Sequence, residues 1–211
     1  NRLSPQDMTK EKVVKALKFF ADINKNLDLA KNLPIASEAC FSIKEHLNLV
    51  EARIERLKKI KDDSEINKKA INFVRKDLSK AWDRSLEYAD RFIHKCGLNP
   101  DEDVSEEDKC ISPSDFGFHN AILDASGKLF FIDFEYSGWD DRTKMVCDFF
   151  CQPEVPVPSE YLDFFVKKAV NKTSNPKKFE YRIKALLPAY KIKWCCILLN
   201  DFLSTDSERR S

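Results

Sequence analysis

Glycine is scarce in this sequence, with four residues among 211, and proline contributes only nine. A fold built only from β-strands needs many tight turns, and glycine supplies the backbone conformations that such turns require. The scarcity therefore argues against an all-β barrel or sandwich. Long stretches rich in lysine, glutamate, leucine and alanine favour helices instead, so we expect a mainly α-helical protein.

Long apolar runs are also missing, because no stretch reaches the roughly 18 consecutive apolar residues of a membrane-spanning helix. The first residues, NRLSPQDMTKEK, contain neither the apolar core nor the cleavage site of a secretory signal. We expect no membrane-spanning segment and no secretion. The 36 lysines and arginines nearly balance the 35 aspartates and glutamates, so no overall charge attracts nucleic acid or a membrane surface.

No C-x-x-C pair occurs among the seven cysteines, and the sequence has only three histidines. The odd number of cysteines, in a chain long enough to bury a core, argues against a disulfide framework. The absence of paired cysteines and the few histidines argue against a zinc site. We expect reduced thiols, most of them packed in the core of a cytoplasmic protein.

Helical periodicity dominates the first half of the chain. Thr9 is suited to cap a first helix of about four turns. Apolar residues then recur at helical spacing over residues 37–60, and again from Ser64, a possible cap, to Gly97, a possible end. These two later helices are expected to lie antiparallel, as a helical hairpin spanning about 36–96.

The periodicity changes in the middle of the chain. Residues 98–111 are acidic and typical of a surface loop, whereas the short apolar runs at 121–123 and 129–134 are typical of two short strands. The intervening DASGK places Gly127 where a hairpin turn needs it, so we predict one small β-hairpin. Helical periodicity returns over residues 160–170 and 176–203.

Three side chains with oxygen atoms surround this predicted hairpin. Asn120 precedes the first strand and Asp133 lies at the end of the second, so the hairpin can bring them side by side. Carboxylate and amide oxygens suit Mg²⁺, which also keeps water and substrate phosphate as ligands. Asp115 would then stand near the metal as a base that accepts a hydroxyl proton.

The segment SPSDFGFHNAIL resembles the H-G-D-x-x-x-x-N loop of aminoglycoside phosphotransferases and choline kinases, and FFIDFEYSGWDD resembles their I-D-[FWY]-E segment. The wording of the second segment is closest to the choline kinase branch. The resemblance implies a protein-kinase-like fold, with the chain as a single helical C-terminal lobe over 1–211 and the 36–96 hairpin as an insertion. It also implies ATP as co-substrate, Mg²⁺ as cofactor, Asp115 as catalytic base, and Asn120 and Asp133 as metal ligands.

Two positions depart from the family pattern. Pro113 replaces the usual histidine two residues before the catalytic aspartate, so loop support must come from Ser112 or Ser114. Met145 lies near the place of a further aspartate that steadies the loop in the family, with Asp148 as a possible stand-in. His119, beside the loop asparagine, is expected to pack or hydrogen-bond within the loop.

A third departure is an absence. A kinase covers the phosphates with a glycine-rich hairpin and grips them with a strand lysine, and neither precedes residue 112. The resemblance therefore implies a nucleotide-binding lobe, N-terminal to this one, in a longer parent chain.

The acceptor site is less clearly marked. Glu135, Asp140 and Asp141 could line a pocket for a cationic acceptor or belong to a plain solvated surface. Trp139 lies beside them and could stack on a quaternary ammonium group, whereas Trp82 and Trp194 fall on apolar helix stripes and are expected in the core. The acceptor, which needs a hydroxyl group, could be an aminoglycoside, choline, an amino alcohol or a sugar.

Two functions remain open from the sequence. The first is an ATP-dependent phosphotransferase acting on a small alcohol, favoured by the spacing of Asp115, Asn120 and Asp133. The alternative is a non-catalytic, pseudokinase-like binding or scaffold module, favoured by Pro113 and the missing nucleotide lobe.

Overall fold

The computed structural model describes residues 1–169 and 173–203, and this part of the chain is mainly helical with two small antiparallel sheets. The helices are α1 (Lys10–Ile23), α2 (Ile43–Leu57), α3 (Glu65–Phe73), α4 (Ser79–Cys96), α5 (Arg142–Cys151), α6 (Leu162–Ala169) and α7 (Pro176–Leu199). The strands are β1 (Lys109–Ser112), β2 (Ala121–Leu123), β3 (Leu129–Phe131) and β4 (Gly138–Asp141). The mainly α-helical class expected from the composition is confirmed.

Side-chain caps define several helix ends as the sequence predicts. The Thr9 hydroxyl accepts a hydrogen bond from the backbone N–H of Lys12, and the Ser64 hydroxyl accepts one from Asn67. Gly97 ends α4 in the left-handed conformation, with φ of 63°, which glycine adopts without steric cost.

The second helix begins later than the periodicity predicts, at Ile43 rather than near residue 37. Ser42 and Glu45 form a capping box, in which each side chain accepts a hydrogen bond from the backbone N–H of the other. This box satisfies two donors that would otherwise be unpaired at the helix start. Residues 37–42 therefore stay outside the helix.

The expected helical hairpin is only partly correct, because α2 and α4 both pack chiefly against α7. One turn of π-helix, Val74–Leu78, joins α3 to α4. The residues buried between α2, α3, α4 and α7 form one core cluster: Val50, Ile54, Leu57, Ile60, Ala70, Val74, Leu78, Trp82, Ala189, Ile192, Cys196 and Leu203. The segment thus shares a hydrophobic core with α7.

The predicted β-hairpin is present as β2 and β3, with Gly127 in its turn at φ of 77°. The second strand ends at Phe131, earlier than the predicted residue 134. The Ile132 N–H still donates to the Asn120 carbonyl at 2.9 Å, but Asp133 then takes a positive φ of 66°, which turns the chain away from its partner strand.

A second sheet, β1 paired with β4, is not predicted from the sequence, which indicates a loop at both places. Gly138 allows the chain near residue 35 to approach this sheet, because a Cβ there would lie 2.3 Å from the Pro34 carbonyl oxygen. Trp139 then exchanges backbone hydrogen bonds of 2.9 Å with Pro34 and Ala36. This contact fixes the segment that continues to Ser37 and Glu38.

The later helices follow the predicted periodicity with shorter bounds. A 3₁₀ turn precedes α6, and the expected residue Val170 lies outside the described residues. The last helix ends at Leu199 and continues as one 3₁₀ turn to Phe202. Among the described helices, none combines the length and apolar character needed to cross a membrane.

All seven cysteines are unpaired, as the sequence predicts. Burial raises the pKa of the Cys40 and Cys196 thiols to about 12, so both are neutral near pH 7. Neither forms a reactive thiolate there.

Candidate active site

The loop that carries Asp115 is held by buried aromatic rings on both sides of it. Phe116 and Phe118 are buried, and their rings lie 4.9 and 5.2 Å from the ring of Phe149 in α5. Asp115 points away from this cluster, and its side chain is 43% exposed. The two buried phenylalanines of SDFGF therefore anchor the loop in the core, while the Asp115 carboxylate faces solvent.

Ser112 and Ser114 tie the backbone on either side of Pro113. The buried Ser112 hydroxyl accepts a hydrogen bond of 3.0 Å from the Ser114 N–H, and the Ser114 hydroxyl donates one of 3.0 Å to the Ser37 carbonyl. Ser114 has a positive φ of 69°. These two hydrogen bonds hold the loop backbone near Pro113, which is the support predicted from Ser112 or Ser114.

Asp115 is bonded to both polar residues of its own loop. His119 Nε2 donates to one carboxylate oxygen at 3.1 Å, and Asn120 Nδ2 donates to the other oxygen and to the Asp115 carbonyl, each at 3.1 Å. Burial opposes ionisation, but the His119 and Asn120 contacts and the charge of Lys193 outweigh it and lower the pKa of Asp115. Asp115 is therefore an ionised carboxylate at neutral pH.

His119 connects this loop to α7. The centroids of the His119 and Trp194 rings lie 5.7 Å apart, and the two rings are nearly perpendicular. The Trp194 indole N–H donates a hydrogen bond of 3.0 Å to Asp148. Gly117 leaves room for the imidazole, because a Cβ there would lie 2.5 Å from His119 Nδ1. Asp148 thus reaches the loop through Trp194 and His119, and Trp194 does more than fill the core.

Asn120 and Asp133 lie at the same end of the β2–β3 hairpin, as predicted. Asp133 is exposed, and within residues 1–169 and 173–203 its carboxylate has no hydrogen bond or ion pair. The Asn120 amide uses its Nδ2 on Asp115, which leaves Oδ1 without a donor in the described part of the chain. The Asn120 Oδ1 atom and the Asp133 carboxylate are therefore free to bind a hard cation such as Mg²⁺.

The part of the chain that the structure describes contains no metal site built by side chains alone. Among the described residues, no group of three or more His, Cys, Asp or Glu side chains could hold a metal ion. The residues present fit a cation that takes two protein ligands and completes its shell with water and phosphate. They do not fit a structural metal held entirely by side chains.

The structure corrects the prediction that Asp140 and Asp141 lie on an acidic rim, because both are buried. Asp140 accepts a hydrogen bond of 2.7 Å from Lys144 Nζ, and burial nevertheless raises its pKa. Asp141 accepts from Arg182 and from His46 Nε2 at 3.0 Å, and also caps α5. Both carboxylates are occupied by cations of the core and cannot bind an acceptor at the surface.

The Asp141 contacts predict how stability depends on pH. Burial opposes ionisation, but the charge of Arg182 and the His46 hydrogen bond outweigh it and hold the pKa of Asp141 far below its usual 3.8. A lowered pKa adds stability above pH 4 that is lost as the pH falls towards the folded-state pKa. The free energy of unfolding should therefore fall steadily below pH 4 in urea titrations. In Asp141→Asn, the deficit relative to wild type should shrink over the same range; a deficit independent of pH would contradict this assignment.

The two other residues predicted for the acceptor site are not among those that line the pocket containing Asp115. Glu135 is exposed in the turn after β3. The Trp139 indole donates to the Ala30 carbonyl at 3.1 Å, and its ring lines a different pocket of about 570 Å³. Trp139 and Asp115 line different pockets, so the residues predicted to bind the acceptor do not form one site.

The pocket beside Asp115 has a volume of about 340 Å³, within the range of small-molecule sites. Its lining residues are Ser37, Glu38, Arg53, Ser114, Asp115, Tyr136, Lys144, Lys193, Trp194, Ile197 and Asn200. Sequence reasoning missed most of them because they come from distant segments. Two lining residues, Glu38 and Ser114, have positive φ, and such strain is often found at functional sites.

Beneath this pocket lies a buried network of charges. Lys193 Nζ donates to both oxygens of Asp148, at 2.7 and 2.9 Å. Lys144 Nζ bonds Asp140 and lies 3.6 Å from Asp148. Each lysine has N–H groups to spare, because an ammonium carries three donors.

A scan against protein-family models gives no match, and a search of curated proteins gives none of significance. The geometry around Asp115 is therefore what points to a function.

Proposed function

We propose that this chain carries the catalytic loop of an ATP-dependent phosphotransferase that acts on the hydroxyl group of a small molecule. One observation carries the proposal: an ionised, half-exposed Asp115 opens onto a polar pocket, with Asn120 bonded to it and Asp133 near Asn120 at the end of one hairpin. A base, a pocket and two free oxygen ligands are the parts that phosphoryl transfer requires.

In this mechanism the acceptor lies in the pocket with its hydroxyl against Asp115. Asp115 orients the hydroxyl and takes its proton as the oxygen attacks the γ-phosphorus of ATP. The new bond joins the acceptor oxygen to phosphorus, the bond from phosphorus to the β–γ bridging oxygen breaks, and ADP leaves with that electron pair. His119 and Asn120 keep the Asp115 carboxylate in place throughout.

Mg²⁺ is the cofactor that the two free ligands suit, and when bound it would neutralise charge on the transferred phosphoryl group. Asn120 Oδ1 and the Asp133 carboxylate would hold it. The positive φ of Asp133, 66°, supports a functional role, because such backbone strain is often found at functional sites.

The proposal includes a kinase-like arrangement of this lobe. The four glycines, Gly97, Gly117, Gly127 and Gly138, are too far apart for a phosphate-covering loop. The nucleotide would therefore be held in part by a nucleotide-binding lobe, N-terminal to this one in the proposed parent chain. We also propose a cytoplasmic location, which the unpaired state of all seven cysteines supports.

Asp133→Gly tests the metal ligand and the strain together. We expect weaker Mg²⁺ dependence and at least about tenfold lower turnover, because a charged ligand is lost. Stability should rise by up to about 1 kcal/mol, because glycine accepts a positive φ at no steric cost. Mg²⁺ titrations of turnover and urea denaturation measure both. Glu135→Gly, in the next turn, is the matched control, and unchanged Mg²⁺ dependence in Asp133→Gly would contradict the assignment.

A non-catalytic binding module is the second candidate, and an exposed apolar surface favours it. Ile122, Phe130, Ile132 and Phe134 of the hairpin are each at least 36% exposed. Such a patch is typical of surfaces that contact another protein or domain. Turnover of Mg²⁺-ATP by the full-length protein with an acceptor separates the two functions.

A further inference from the structure

The pocket beside Asp115 also carries information about the acceptor. Three cationic side chains line it, Arg53, Lys144 and Lys193, against two carboxylates, Glu38 and Asp115. The expectation of a cationic acceptor relied on Asp140 and Asp141, which are buried and paired with core cations. The side chains that do line the pocket therefore have the opposite excess of charge.

Arg53 has a donor that the protein does not use. Its Nη2 makes both contacts with Glu38, whereas its Nε is buried and has no hydrogen-bond partner in the described part of the chain. Buried donors are almost always paired, so an unpaired donor on a residue that lines the pocket fits an acceptor atom supplied by a ligand. An oxygen of a bound molecule would supply it.

Lys144 and Lys193 add positive charge on the buried side of the pocket. Lys193 and Lys144 are almost fully buried, yet both line the pocket. Burial opposes ionisation of Glu38, but Arg53 first and then both lysines outweigh it and lower the Glu38 pKa. Lys193 also contributes to the lowered pKa of Asp115. The lysine charges thus act on the pocket even though Asp140 partly neutralises Lys144 and Asp148 partly neutralises Lys193.

We propose that the acceptor is a small polyhydroxylated acid, whose carboxylate binds Arg53 and the lysine side of the pocket while a hydroxyl faces Asp115. This inference rests on the proposed phosphotransferase function and names the acceptor class for the same site. A planar guanidinium suits a carboxylate, and a pocket of about 340 Å³ accommodates a molecule of sugar-acid size. The bond changes are those of the proposed transfer.

Three six-carbon compounds that differ at one end isolate the effect of charge: gluconate, gluconamide and glucamine carry a carboxylate, a carboxamide and an ammonium group. Binding to the full-length protein is measured without nucleotide by calorimetry or Trp194 fluorescence. We expect gluconate to bind at least about tenfold more tightly than glucamine, since one charged hydrogen bond is worth that much. Equal or tighter binding of glucamine, or no binding of any of the three, would overturn the inference.

Variants of the Glu38–Arg53 pair sharpen the test. Arg53→Gln should abolish the preference for gluconate over gluconamide and glucamine. Glu38→Gln removes the internal competitor for Arg53 and should strengthen gluconate binding severalfold. Arg84→Gln, an exposed arginine on α4, is the matched control for loss of one positive charge and should leave the preference unchanged. A preference that survives in Arg53→Gln would overturn the role of Arg53.

Turnover of Mg²⁺-ATP with the same three compounds distinguishes this inference from the proposed function. Phosphorylation of glucamine in preference to gluconate would contradict the inference and retain the phosphotransferase. Tight gluconate binding without phosphorylation of any compound would contradict the phosphotransferase and leave a carboxylate-binding pocket.

Discussion

Replacing Asp115 with asparagine is expected to lower turnover by about 10²–10⁴-fold, because the amide cannot accept the acceptor proton. Asparagine keeps the size of the side chain and can still accept the hydrogen bond from His119. The carboxylate is half-exposed, so the free energy of unfolding should change by no more than about 1 kcal/mol. A loss of rate with retained folding is the signature of a base.

The measurement is ADP release together with mass detection of the phosphorylated acceptor, at saturating Mg²⁺-ATP. Urea denaturation of the same preparation checks folding. Asp83→Asn, at an exposed position on α4, is the matched control and should keep full turnover. Retained turnover in Asp115→Asn would remove this residue from the mechanism and favour the binding module.

Replacing Asp148 with alanine is expected to destabilise the fold by about 3–5 kcal/mol. The carboxylate is 1% exposed and accepts hydrogen bonds from Lys193 and from the Trp194 indole, with Lys144 at 3.6 Å. Its removal leaves the ammonium of Lys193 buried without a counter-charge. An unpaired buried charge costs far more than the pair contributes, because water no longer solvates it.

Denaturant titration measures this loss, and a paired variant tests its cause. In Asp148→Leu with Lys193→Met, both charges are absent, so much of the lost stability should return. If the double variant were no more stable than Asp148→Ala, packing rather than charge would explain the loss. A change below about 1 kcal/mol in Asp148→Ala would contradict the buried network itself.

Helix positions were largely predictable because their signals are local. Thr9, Ser64 and Gly97 cap or end helices through contacts with residues only a few positions away. The start at Ile43 was missed because apolar spacing alone does not show where the Ser42–Glu45 capping box closes. The β1–β4 sheet was missed for the opposite reason, since its strands are short and distant in sequence.

The residues predicted for the site also differ in how local their contacts are. Asp115, His119 and Asn120 lie within one loop, so their proximity follows from the sequence itself. Asp140 and Asp141 were misplaced because adjacent charged residues usually lie at the surface, whereas here β4 enters the core. The cation that pairs with Asp140, Lys144, lies only four residues away, but the burial of Asp141 depends on Arg182 of the distant α7.

The helical class, the hairpin and the grouping of Asp115 with Asn120 follow from the sequence, because each depends on interactions between near neighbours. Which charged residues are exposed and which line the pocket depends instead on contacts between distant parts of the chain. Glu38, Arg53, Lys144 and Lys193 come from segments far apart, and packing against α7 and β4 brings them together beside Asp115. The charge of the pocket, and with it the class of acceptor we propose, is therefore a property of the fold.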